Sequence, residues 1–182
     1  MAKILIPLAN GFEELEAITI IDLLRRAGFE VITAGLDEQP VTASRKTVLI
    51  PDTSIDKVNQ EEFDMVVLPG GLPGADNLRD SQQIISILKH QFQQNKSIAA
   101  ICAAPKALAA AGVLKGKTIT CYPGALDQTD TSDFNVTASN IQVDGNIITS
   151  RGPGTAMDFA LTLIEFLADR KLRDQIEDQL AR

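Results

Sequence analysis

The residue best suited to chemistry is Cys102, which stands between a short apolar run and an alanine-rich helical pattern in SIAAICAAPKALAAAG. If a helix begins just after Cys102, its free N–H groups and positive dipole end would stabilise a thiolate. A thiol of lowered pKa is a better nucleophile and is more easily oxidised. The small flanking residues also resemble those of a G-x-S-x-G nucleophile elbow, with alanine in place of glycine. A small buried core side chain is the alternative interpretation.

A glutamate on the apolar face of the first predicted helix is the second candidate. On a helical wheel Glu16 falls with Ile20, Leu23 and Ala27, whereas Glu14 falls on the opposite face, where it is expected to be solvated. A carboxylate on a buried face must be paired or protonated. A protonated Glu16 could donate a hydrogen bond to a thiolate or act as a general acid–base group. Alternatively, Glu16 only complements the dipole of the first helical turn.

The glycine-rich segment LPGGLPGADN follows another apolar run. It lacks the Gly-Lys-Ser/Thr ending of a phosphate-binding loop and the G-x-G-x-x-G spacing of a dinucleotide site. A tight turn at Gly70 and Gly71 would instead direct backbone N–H groups towards a site, where they would stabilise an oxyanion. A plain turn without a functional role is the alternative.

Two other residues of types that often do chemistry are expected to have structural or surface roles. Cys121 follows the strand pattern KTIT with no helix start behind it, which favours a packed strand cysteine. The single histidine, His90, lies in a polar helical stretch and is expected at the surface. Because the chain holds one histidine and two cysteines, we expect no metal site of the Cys/His type and no cofactor.

The elements that must position these residues alternate between strand and helix along the whole chain. Apolar strand patterns such as KILIPLA, EVITAG, FDMVVLPGG and SIAAIC are separated by helical patterns at about 13–27, 81–94, 105–111 and 155–168. A hairpin is predicted in VTASRKTVLIP, a turn at Asp144-Gly145, and a capping box at Thr155–Asp158. This alternation predicts one α/β domain over residues 1–182, with a mainly parallel sheet covered by helices on both faces.

The topology brings the candidate residues together. In open parallel sheets, ligands bind outside the carboxyl ends of the strands. The segments LANGFEELE, LPGGLPG and IAAICAAP each follow a predicted strand. We therefore expect these three segments to converge at one edge of the sheet.

Composition excludes some classes of partner and location. The net charge of −7, without a Lys/Arg cluster, argues against a nucleic-acid surface. The apolar runs are far shorter than the ~20 residues that span a bilayer, and the N-terminal run is too short for a secretory signal. Two cysteines form no disulfide framework, which fits a reducing compartment, and we expect a cytoplasmic protein.

Six motifs in order resemble the DJ-1/ThiJ/PfpI superfamily, specifically its DJ-1-like bacterial branch: FEELE, RRAGFEV, ASRKTV, VVLPGGLPGADNL, IAAICAAP and TSRGPGTAMDFAL. The resemblance runs from about Lys3 to Leu167. It implies a flavodoxin-like three-layer sandwich and a homodimer. By position, Cys102 matches the family's reactive cysteine and Glu16 its protonated glutamate. Gly71 and Ala103 match the backbone donors that face the cysteine.

The resemblance also implies a pocket around the cysteine. Arg45 matches an arginine that the family contributes across the dimer, and Pro153 matches a residue of the pocket wall. Where some members carry a catalytic histidine, this chain has Tyr122, in TCYPG. A tyrosine could donate a hydrogen bond there, but its usual pKa of about 10 suits a general base poorly. We therefore expect weaker catalysis than a Cys-His-Glu trio would give.

Two functions from different classes follow from these residues. The first is a cysteine-dependent glyoxalase or deglycase acting on reactive carbonyls such as methylglyoxal or its glycated adducts. The second is a redox sensor or stress-protective chaperone without meaningful turnover, in which Cys102 is oxidised to a sulfinate. An amidase or peptidase, as in remoter branches of the superfamily, is weakened by the absence of a suitable histidine.

Overall fold

A central sheet of seven strands organises the computed structural model, which describes residues 1–182. The strands of the whole chain are β1 (Lys3–Leu8), β2 (Glu30–Gly35), β3 (Val41–Thr42), β4 (Val48–Leu49), β5 (Thr53–Ser54), β6 (Met65–Leu68), β7 (Ser97–Ile101), β8 (Thr118–Thr120), β9 (Asn135–Thr137), β10 (Ile141–Asp144) and β11 (Ile147–Ser150). The helices are α1 (Glu14–Arg26), α2 (Ile55–Val58), α3 (Gly74–Asp80), α4 (Gln82–Gln93), α5 (Pro105–Ala110), α6 (Ala156–Leu167) and α7 (Arg170–Gln179).

The central sheet has the strand order β10-β11-β7-β6-β1-β2-β5, and every pairing except that of β10 with β11 is parallel. The strands β3 and β4 form the expected antiparallel hairpin, and β8 and β9 form a separate parallel pair. Helices α1 and α6 pack together on one face, and α3, α4 and α5 contact one another on the other face. The predicted flavodoxin-like α/β sandwich is thus confirmed.

Burial on both faces explains the continuous apolar strand patterns. All four residues of β6 are buried, as are the last four of β7. Strands covered by helices on both sides are apolar throughout rather than alternating, because neither face meets water. The side chains of these strands divide between two apolar clusters, one under α1 and α6 and the other under α3, α4 and α5.

The helix predictions were accurate at most boundaries and wrong at three places. The capping box at Thr155 does not form, because the Thr155 hydroxyl hydrogen-bonds Ser150 and Gly152 instead. A 3-10 turn over Pro153–Thr155 precedes α6. The short helix α2 was not predicted. Helix α3 also lies outside the predicted helical patterns, because its sequence follows the glycine turn directly and its first residues suit a turn equally well. No helix is both long and apolar enough to cross a bilayer.

The three segments expected to converge do meet at one edge of the sheet. They follow β1, β6 and β7, which are neighbours in the strand order. Contacts between the segments are close: the N–H of Glu13 donates to the carbonyl of Gly70 at 2.9 Å. The carboxyl ends of these strands therefore place the start of α1, the glycine turn and Cys102 side by side.

Candidate active site

Cys102 occupies a strained backbone elbow at the end of β7. Its φ is 63°, a left-handed conformation that is rare for residues with a side chain and that clusters at functional sites. Two hydrogen bonds hold the elbow: the Cys102 N–H donates to Ser150 O, and its carbonyl accepts from the N–H of Tyr122, both at 2.9 Å. Helix α5 begins at Pro105, as the helical pattern at 105–111 predicts, so the condition of a helix start directly after Cys102 is not met.

Burial, rather than a helix dipole, dominates the ionisation of the Cys102 thiol. The residue is 8% exposed, and burial followed by the neighbouring Glu16 carboxyl raises the pKa of the thiol to about 12. The N–H groups of Gly71 and Ala103 face the sulfur and act in the opposite direction, lowering its pKa. The lowering of the thiol pKa that a helix start directly after Cys102 would give does not occur, because α5 starts three residues beyond the cysteine and burial raises the pKa instead.

Glu16 is fully buried on the inner face of α1, with an exposed fraction of 0%. Its Oε2 accepts a hydrogen bond from the N–H of Gly70 at 2.8 Å, whereas Oε1 is buried without any hydrogen-bond partner. Burial raises the pKa of this carboxyl to about 7, and the charge of Glu13 acts in the same direction. A buried carboxyl oxygen without a hydrogen-bond partner costs free energy. Oε1 is therefore available to bind a proton or to accept a hydrogen bond from a bound molecule.

Cys102 and Glu16 titrate as one coupled pair. The Glu16 carboxyl raises the pKa of the Cys102 thiol, because two negative charges in a buried site repel one another, whereas the hydrogen bond from the thiol favours the ionised carboxylate and lowers the pKa of Glu16. The pair therefore carries at most one negative charge near neutral pH. A proton can pass from the thiol to the carboxylate without a change in the charge of the site, and this transfer is what a nucleophilic cysteine requires.

The glycine turn is shaped by how closely these groups approach. A methyl group added at Gly70 would lie 2.6 Å from Cβ of Cys102 and 2.8 Å from Oε2 of Glu16. Gly71 has a φ of 89°, and a methyl group there would lie 2.3 Å from the backbone nitrogen of Glu13. Only glycine fits at either position without displacing the candidate nucleophile, its glutamate or the start of α1.

The remaining predicted pocket residues fall into two groups. Tyr122 and Pro153 line one surface depression of about 270 Å³ beside the Cys102 elbow. The Tyr122 ring packs near Gly152 and is half exposed, and its hydroxyl makes no hydrogen bond to the thiol. Arg45 is exposed in the β3–β4 turn, where its N–H donates to Glu14, and it does not line this depression. Glu14 is thus partly buried as the acceptor for that turn rather than fully solvated.

The other residues considered from the sequence lie away from the elbow. Cys121 is 6% exposed in the core beyond β8, and burial raises the pKa of its thiol. His90 is exposed and pairs with Glu62 at 3.1 Å. No group of His, Cys, Asp and Glu side chains has an arrangement that could hold a metal ion. A depression of about 870 Å³ lies between α3, α5 and the loop after β8, and it includes neither Cys102 nor Glu16.

One contributor to the elbow could not be found from the sequence. Ser150, at the end of β11, accepts the N–H of Cys102, and its hydroxyl contacts that of Thr155 at 2.6 Å. A carbonyl contact leaves no signature in residue type, so only the register of β11 against β7 reveals it.

Comparisons with known proteins agree with this architecture. A family model described as the DJ-1/PfpI family matches residues 2–166. The chain is 42% identical to the "Parkinson disease protein 7 homolog" of Danio rerio, over 98% of this chain and 96% of that protein. It is 35% identical to the "Glutathione-independent glyoxalase DJR-1.2" of Caenorhabditis elegans, over 91% of this chain and 88% of that protein. The crystal structure of Drosophila melanogaster DJ-1beta superposes with a TM-score of 0.95 at 42% identity, covering 100% of this chain and 98% of that one. The chain therefore belongs to the DJ-1/PfpI family.

Proposed function

We propose that this protein is a cofactor-independent enzyme that converts reactive α-oxoaldehydes such as methylglyoxal into 2-hydroxy acids. The observation that carries the proposal is the contact of the strained Cys102 with a buried carboxyl whose Oε1 has no partner. The name of the Caenorhabditis elegans relative, a glutathione-independent glyoxalase, supports the same reaction class.

In the proposed reaction, Glu16 accepts the thiol proton as the Cys102 sulfur attacks the aldehyde carbon, which gives a hemithioacetal. Glu16 then moves the proton from the former aldehyde carbon to the adjacent carbon through an enediol, which leaves a thioester on the cysteine. Water hydrolyses this thioester and restores the thiol. The aldehyde carbon is oxidised and the neighbouring ketone carbon is reduced, so methylglyoxal and water give lactate and a proton without an external oxidant.

Backbone donors would stabilise the charge that develops in these steps. The N–H groups of Gly71 and Ala103 already face the sulfur, next to the position that the attacked carbonyl oxygen would take. Tyr122 makes no contact through its hydroxyl with the thiol, so proton transfer depends on Glu16 alone. We therefore expect slow turnover.

The test is lactate formation from methylglyoxal by the wild type, Cys102→Ser and Cys121→Ser. Activity that is lost in the first variant and kept in the second is the expected result, since Cys121 lies outside the elbow. Equal rates in the wild type and Cys102→Ser, at any level, would contradict the proposal.

A second candidate function, oxidation of Cys102 to a sulfinate as a redox signal, is favoured by the same unpartnered oxygen. A protonated Oε1 of Glu16 could donate a hydrogen bond to a sulfinate oxygen, which would stabilise that oxidation state over further oxidation. Intact mass and peptide mapping after mild peroxide treatment test this function. Oxidation at Cys102 before Cys121 is expected, and the reverse order, or a resistant Cys102, would refute it.

We also propose that two copies of the chain associate. On α1, Leu15 and Ile18 are 52% and 45% exposed, and on the adjoining hairpin segment Val48 and Ile50 are 60% and 80% exposed. Apolar surface of this kind is typical of protein interfaces. Sedimentation analysis would show a dimer for the wild type and a monomer for Ile18→Asp. A wild type that stays monomeric at micromolar concentration would refute the association.

A further inference from the structure

Arg151 differs from every other partly buried cation of the chain. The others each form an ion pair with a carboxylate: Lys3, Arg79, Lys96, Lys106, Lys117 and Arg173. The guanidinium of Arg151 has no ion pair and no side-chain hydrogen bond, and it stacks on no aromatic ring. A partly desolvated guanidinium keeps five donors directed at whatever approaches, so it is suited to binding a carboxylate or another anion.

The position of Arg151 connects it to the Cys102 elbow. It directly follows Ser150, the acceptor for the Cys102 N–H, and its own N–H is fixed to the carbonyl of Asn140 at 3.0 Å. The side chain lines the depression of about 270 Å³ that Tyr122 and Pro153 also line.

Arg151 also lines a neighbouring depression of about 370 Å³, which contains Cys121. Asp127 is the only acidic residue in either lining, and it forms no ion pair with the guanidinium. Tyr122, whose N–H donates to the carbonyl of Cys102, lines both depressions, so the unpaired charge of Arg151 lies in the two depressions next to the elbow.

We propose that Arg151 is a specificity residue that binds an anionic group of the substrate, so that the site prefers α-oxoaldehydes that also carry a carboxylate. This inference names the substrate class of the proposed reaction and in that respect rests on it. Such a residue is needed because the net charge of −7 disfavours the approach of anions in general. For 4,5-dioxopentanoate the product is 2-hydroxyglutarate, formed by the same internal oxidation and reduction with uptake of one water.

The first experiment does not depend on turnover. Iodoacetate and iodoacetamide alkylate a thiol by the same displacement of iodide, but only iodoacetate carries a carboxylate. Rates at Cys102, read by peptide mapping, give an iodoacetate-to-iodoacetamide ratio for the wild type, Arg151→Met and Lys171→Met. Lys171 is an exposed, unpaired residue of α7, and its substitution changes the net charge by the same amount.

We expect Arg151→Met to lower the ratio about fivefold, in keeping with one charge-assisted hydrogen bond, and Lys171→Met to leave it unchanged. An unchanged ratio in Arg151→Met overturns the inference.

The second experiment compares kcat/KM for 4,5-dioxopentanoate with that for 2-oxopentanal, its neutral counterpart of equal chain length. Arg151→Met is expected to raise KM for the charged substrate about fivefold or more and to leave the neutral one within twofold. Turnover of both substrates with no change in their ratio overturns the inference while the proposed function stands. No turnover of either substrate, with a lowered alkylation ratio, refutes the proposed function and upholds the anion preference of the site.

Discussion

The buried Glu16 makes a quantitative prediction about stability. Its pKa is raised from 4.5 to about 7 in the folded protein. Between these two values the folded chain holds a proton that the unfolded chain has released. Stability therefore falls as the pH rises through this window, and the loss is complete above the folded-state pKa. Because one pH unit corresponds to about 1.36 kcal/mol for each proton, the free energy of unfolding should fall by about 3 kcal/mol between pH 4.5 and pH 7.

The variant Glu16→Gln isolates this contribution. Glutamine keeps an oxygen that can accept the N–H of Gly70, so it imitates the protonated acid. The assay is urea unfolding followed by circular dichroism at pH 5 and pH 8, with both proteins at the same concentration. Wild type and variant should be similar at pH 5, and the variant should be more stable by up to about 3 kcal/mol at pH 8.

Because every other titrating group is common to the two proteins, subtracting one pH dependence from the other leaves that of Glu16. If the free energies of both proteins change in parallel between pH 5 and pH 8, Glu16 ionises normally and the assignment of a protonated, buried carboxyl is refuted.

Two further predictions concern packing and a surface network. Gly70→Ala places a methyl group against Cys102 and Glu16, so it should destabilise the fold by about 1–3 kcal/mol in urea unfolding. The control Gly154→Ala, whose added methyl group meets nothing within 4 Å, should leave the free energy of unfolding unchanged. A Gly70→Ala protein as stable as wild type would contradict the close approach. Burial opposes the ionisation of Asp52, but hydrogen bonds from Thr33 and the ion pair with Arg25 outweigh it and hold its pKa below the usual value. Asp52→Asn should therefore lower the free energy of unfolding by about 1 kcal/mol at pH 7. This loss should shrink as the pH falls below about 4, which thermal unfolding of both proteins across pH would show. A loss that stays constant with pH would argue against an ionised Asp52.

The fold could be predicted from the sequence because its signals are local and repeated. Apolar strands alternate with amphipathic helices, and such units have few arrangements available. Glu16 was recognisable because a charged residue on an apolar helix face contradicts the pattern around it. Helix α3 was not recognisable, since the same glycine-rich letters suit a turn and a turn followed by a short helix.

The ionisation of Cys102 shows the limit of local reasoning. The sequence places Cys102 before a helix, which argues for a lowered pKa of its thiol. In the structure this helix starts only at Pro105, and burial by segments distant in the sequence raises the pKa instead. The role of Ser150 and the unpaired state of Arg151 likewise depend on which strands are neighbours and on which carboxylates lie near. These are properties of the packed molecule rather than of any short segment.

The central claim is that Cys102 is a nucleophile whose proton Glu16 accepts. The most direct test is peptide mapping of the protein after it is quenched in acid during methylglyoxal turnover. The account predicts a covalent adduct of methylglyoxal composition on Cys102, none on Cys121, and an adduct that forms more slowly in Glu16→Gln. Lactate formation with no adduct on Cys102, or an adduct formed equally fast without the glutamate, would contradict it.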